Sequence, residues 1–110
     1  MTDTAHTDSG WHYKGTTWEP VPPAISVFDG IVVNMAFDDE VRHYPPHIHA
    51  QYGDYEASIA IDDGTLLSGN LPTRQIYLVL GWIELRRNEL MEDWNLAASG
   101  SIVRPVAPLG

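Results

Sequence analysis

A chain of 110 residues, 44% apolar and with four tryptophans, has the material for one buried core and not two. Its net charge of −9, with Lys14 as the one lysine, argues against direct nucleic-acid binding, which draws its affinity from cations that neutralise phosphates. The absence of cysteine excludes disulfides and thiolate-bound zinc, and no apolar run approaches the roughly 20 residues that a membrane helix needs.

Residues 1–10 are polar and acidic and carry no secretory signal. With the cysteine-free composition, this points to the cytoplasm. Residues 1–23 read as an extended N-terminal arm. Trp11, Tyr13 and Trp18 stand among polar residues, ahead of Pro20, Pro22 and Pro23, with no helical or strand period. Rings of this size are costly to leave in water, so the three aromatics are candidate partner-binding residues.

From residue 24 to residue 110 the pattern is that of a single domain. Apolar runs at 25–28 and 31–37 flank Asp29-Gly30, a strong two-residue hairpin signal, because a type I′ turn needs positive φ. The expected register pairs Phe28 with Ile31 and Ser26 with Val33. Phe28, Ile31, Val33, Met35 and Phe37 then share one buried face. Asp38-Asp39-Glu40 closes the strand as an acidic loop, either solvated or holding a cation near His43.

Pro45-Pro46 stops any preceding helix. Runs at 47–52 and 55–61 flank Gly53-Asp54, which suits a type II′ turn. That register pairs Tyr52 with Tyr55, Gln51 with Glu56, Ala50 with Ala57, His49 with Ser58 and Ile48 with Ile59. Ile48, Ala50, Tyr52, Tyr55, Ala57, Ile59 and Ile61 form the expected core face. His47, His49, Gln51, Glu56 and Ser58 line the other. A turn at Asp62-Asp63-Gly64 leads to a short strand at 65–68.

The remainder reads as helical. Pro72 suits a helix start, and Ile76, Leu80, Ile83, Leu90 and Trp94 recur as one apolar stripe. Gly81 and Arg87-Asn88 are weak points, so the segment is one long helix or a helix pair. Gly100 suits a C-terminal stop, and residues 102–109 read as an extended tail. The fold class is therefore α+β: an antiparallel sheet of about five strands packed against a C-terminal helix or helix pair.

Chemistry concentrates in His43-Tyr44-Pro45-Pro46-His47-Ile48-His49-Ala50, which holds three of the five histidines. On a strand, His47 and His49 leave the same face. Three readings stand. His43, His47 and His49 could ligate a divalent transition metal such as zinc, with Glu56 as a further donor. His47, His49 and Glu56 could act in acid–base catalysis beside Arg42. The imidazoles could instead be structural, bonding across the strand pair to Ser58 and Gln51. Trp82 and Trp94 read as core, and no nucleotide-loop, nucleophile-elbow or HExxH signature is present.

Several segments together resemble the small bacterial domain-of-unknown-function family 4160. They are Ile25-Ser26-Val27-Phe28-Asp29-Gly30-Ile31-Val32, Pro45-Pro46-His47-Ile48-His49-Ala50-Gln51-Tyr52-Gly53, Gly69-Asn70-Leu71-Pro72-Thr73-Arg74 and Trp82-Ile83-Glu84-Leu85, with Glu89-Leu90 and Trp94. The acidic stretch before His43 is longer here, and the Trp-rich arm lies outside the pattern. The resemblance implies a stand-alone domain encoded beside another small gene, an arrangement like a toxin–antitoxin pair, and implies no reaction. The expected function is a protein-interaction component with a protein partner or a second copy. The alternative is a small metal-dependent or His-based hydrolase or ribonuclease.

Overall fold

The hairpin turns set the architecture. In this computed structural model, which describes residues 11–14, 17–20, 24–35 and 45–110, Asp29 and Gly30 both take positive φ, at 51° and 77°. They join β3 (Ala24–Phe28) to β4 (Ile31–Asn34) with Phe28 opposite Ile31 and Ser26 opposite Val33. Gly53, at φ 58°, joins β5 (His47–Tyr52) to β6 (Tyr55–Ala60) in the expected register throughout. β7 (Leu66–Gly69) follows the Asp62-Asp63-Gly64 turn, where the Asp63 carboxylate accepts the Thr65 N–H at 2.9 Å. The five strands form one antiparallel sheet in the order β3-β4-β5-β6-β7.

β1 (Trp11–Lys14) and β2 (Thr17–Pro20) make a separate two-stranded antiparallel sheet, with Tyr13 opposite Trp18. The reading of this segment as lacking strand character is thus corrected. Gly15-Thr16 separates two short runs rich in aromatic and β-branched residues, and such runs pair even without an apolar alternation.

One sheet face carries the core. Phe28, Ile31, Val33, Met35, Ile48, Ala50, Ala57, Ile59 and Ile61 are all buried there, as expected; Phe37 lies outside the described residues. Tyr55 is the exception, at 52% exposed, and Tyr52 is half-buried. This pair flanks the hairpin turn and so sits at the rim of the sheet. The Tyr52 ring covers Gly30 instead, where a Cβ would meet its Cε1 at 3.2 Å.

α1 (Thr73–Ala98) covers the core face. It is one continuous element with a single kink at Arg86 (φ −114°, ψ 16°), next to the Arg87-Asn88 weak point; Gly81 does not interrupt it. The buried stripe centres on Val79, Trp82, Ile83, Leu90 and Trp94, while Ile76 and Leu80 flank it. Trp82 is fully buried against Phe28, with ring centroids 5.3 Å apart. The helix closes as a Schellman motif: the Ser101 N–H reaches Leu96 O at 2.8 Å and the Gly100 N–H reaches Ala97 O at 3.1 Å.

The tail runs back along the domain. Val106 N–H donates to Ile25 O at 2.7 Å on the β3 edge. The Trp82 indole donates to Ala107 O at 2.8 Å, and Arg86 donates to the Ala107 and Pro108 carbonyls. Arg87 bridges α1 to the Ile61 carbonyl and pairs with Glu84 at 2.9 Å. No helix among the described residues is long and apolar enough to cross a membrane.

Asp93 is a buried member of α1, at 2% exposed. One carboxylate oxygen accepts the Arg104 N–H at 2.9 Å and so holds the tail. Burial pushes its pKa up; the bond from Arg104 and that residue's charge pull it back, and Glu92 and Glu89 add to the rise. A carboxyl raised on folding stabilises the fold fully below its unfolded pKa of about 3.9, and that contribution is lost as pH rises through the folded pKa. The stability of Asp93→Asn relative to wild type should therefore improve as pH rises across that window. Urea titrations of both proteins over a pH series test this, and a pH-independent difference would contradict it.

Candidate functional site

The histidine face is built by β5 and its neighbours. Alternation places His47 and His49 on the face opposite Ile48 and Ala50, as expected. The pairing extends a polar row across four strands: Asn34 lies opposite His49, His49 opposite Ser58, and Ser58 opposite Ser68. Asn34 and Ser68 were not legible as members. The β4–β5 register depends on residues brought together from far apart, with no tight turn to set it.

Two members of the row are hydrogen-bonded to each other. Ser58 Oγ and His49 Nδ1 are 3.1 Å apart, a bond that either group can donate. His47 Nδ1 lies 3.0 Å from Pro45 O. A carbonyl only accepts, so Nδ1 carries the hydrogen of this bond. The His47 and His49 rings meet edge to face, with centroids 5.0 Å apart.

His47 is only 1% exposed and packs against Trp94 of α1, with centroids 5.1 Å apart. Ser58 and Ala60 are buried as well, while His49 is half-buried. The second sheet face is therefore a partly closed layer, in which the helix beyond its kink meets the first residue of β5. Trp94 does belong to the packing, as its size suggested, but its neighbour is an imidazole.

Glu56 is exposed on the same face, opposite Gln51 and one pleat repeat, about 7 Å, along β6 from Ser58. It joins the face without meeting the imidazoles in any bond among the described residues. His43 and Arg42 lie outside the described residues, as do Asp38-Asp39-Glu40. Among the described residues, no three His, Asp or Glu side chains converge as a metal-ligand set. The backbone of Trp11, Tyr13 and Trp18 is in β1 and β2; their side chains are outside the description.

The family model described as a domain of unknown function (DUF4160) matches residues 30–95. The match spans β4 to β7 and most of α1, and so includes His47, His49 and Glu56. It leaves out Trp11, Tyr13 and Trp18. No curated protein and no solved structure matches the chain.

Proposed function

The chain belongs to the DUF4160 family, and from that premise we propose that it is a protein-interaction component, working in a two-gene, toxin–antitoxin-like setting. One observation carries the reading. Tyr77 and Leu85, two turns apart on α1, are 68% and 63% exposed and lie on the same outward ridge. Large apolar side chains grouped on one exposed surface mark interaction sites more often than chance exposure does. The site histidines, by contrast, are held within the domain by Pro45, Ser58 and Trp94.

The test is purification of the tagged full chain from its native host, beside Tyr77→Ser/Leu85→Ser. A stoichiometric complex is expected with the wild type and not with the folded variant. A complex that both proteins form equally would sink the ridge as the working surface.

The second reading, a metal-dependent or His-based hydrolase, is favoured by the His47 tautomer. Metal-ligating imidazoles commonly donate their other ring N–H to a backbone carbonyl, as His47 does to Pro45. His47 and His49 would then be neighbouring ligands, with Glu56 as a carboxylate of the same face. Metal affinity should fall as pH drops through the histidine range, because only neutral imidazole ligates. Calorimetry should show that His49→Ala abolishes zinc uptake. Equal uptake by wild type and the His47→Ala/His49→Ala double variant would end this reading.

A further inference from the structure

The outward ridge of α1 has a composition that fits one occupant. Arg74, Tyr77, Gly81, Leu85, Asn88 and Glu92 follow one another at spacings of three and four, and all are exposed. Gly81 stands at the middle. Among the described residues a Cβ placed there would meet nothing within 4 Å, so none of their packing calls for glycine. Glycine inside a helix nevertheless costs helical stability. What it offers is close approach by another backbone.

The rest of the ridge is self-complementary about that glycine. Tyr77 stands one turn before it and Leu85 one turn after. Beside Leu85, at the Arg86 kink, is a hollow of about 330 Å³ lined by Glu84, Leu85, Arg87, Asn88 and Glu89. Arg74 carries positive charge at one end; Glu89 and Glu92 carry negative charge at the other. We infer that α1 pairs with α1 of a second copy, antiparallel and crossing at Gly81. This deepens the interaction reading above and rests on it.

In that arrangement each Tyr77 enters the hollow beside the other copy's Leu85. Each Arg74 lies over the other copy's Asn88, between its Glu89 and Glu92. The contact is isologous, so every feature is satisfied twice. Along the ridge line itself, from Arg74 to Asn88, the one charge is that of Arg74; the carboxylates beside it, Glu84 and Glu89, line the hollow. A single helix pair buries less than the roughly 1,200 Å² of a standard interface, so the dimer should be weak and concentration-dependent.

Sedimentation of the full chain over a concentration series should show a monomer–dimer equilibrium. Gly81→Gln removes the close approach and adds a good helix former. It should weaken dimerisation about tenfold or more while thermal stability is held or raised. Arg74→Glu alone and Glu89→Lys/Glu92→Lys alone should each weaken it, and mixing the two should restore a heterodimer. A monomer at every concentration overturns the inference, as does a dimer indifferent to Gly81→Gln and to both charge reversals. If the chain stays monomeric alone yet forms a ridge-dependent complex with another protein, self-pairing fails and the interaction reading survives.

Discussion

Trp82→Ala is expected to destabilise the fold by about 3–5 kcal/mol. The side chain is fully buried, and its ring packs on Phe28, the residue that opens the first hairpin of the main sheet. Its removal takes away apolar contact at the centre of the helix–sheet interface, in an interior that relaxes only in part. It also removes the indole N–H that holds Ala107 O at 2.8 Å. The tail would then depend on Arg86, on the Val106–Ile25 backbone bond and on Asp93. Trp82→Phe separates the two contributions, since it keeps most of the ring contact and loses the donor, at a cost of about 1 kcal/mol for the bond. Urea titration with far-ultraviolet circular dichroism gives both values. A loss below about 1 kcal/mol for the alanine variant would mean that α1 does not bear on the sheet through Trp82.

Much of the sheet was legible because its two hairpins carry their own instructions. Asp29-Gly30 and Gly53-Asp54 are short enough that turn chemistry fixes the register, and register decides which side chains share a face. His47 and His49 could therefore be placed together from sequence alone. What was not legible depends on contacts between distant positions. Nothing local brings Trp94 onto His47 or Asn34 opposite His49. Nor does local sequence mark Asp93 as buried, because its Arg104 partner arrives with the returning tail. The helix stripe was displaced for a related reason. Ile76 and Leu80 look as apolar as Val79 and Trp82, and only the sheet's position decides which ridge lies at the centre. The β1–β2 hairpin was missed because its two runs are short and polar-rich, so the periodicity that found the other strands was absent.

Two glycines show how a single methyl group can act in opposite directions in this fold. Gly69, the last residue of β7, sits at φ 71°, where a side chain is strained whatever surrounds it. Its surroundings are also full. A Cβ there would collide with the Glu56 carbonyl oxygen and lie 3.1 Å from Ala57 Cα. These atoms are backbone of the paired strand and cannot swing aside. Moving them would disturb the β6–β7 pairing and the bond from Asn70 N–H to that same carbonyl, now 2.9 Å. Backbone strain and the loss of that bond together should make Gly69→Ala cost about 3 kcal/mol or more. Gly81 is the converse case: it is helical, and no atom of the described residues lies within 4 Å of where its Cβ would stand. Gly81→Ala should stabilise the monomer by about 1 kcal/mol, through the backbone entropy that glycine otherwise loses on folding. Denaturant titrations of both variants, at concentrations low enough to keep the chain monomeric, should move in opposite directions. A Gly69→Ala protein within about 0.5 kcal/mol of wild type would show that β7 does not approach β6 as closely as this geometry requires.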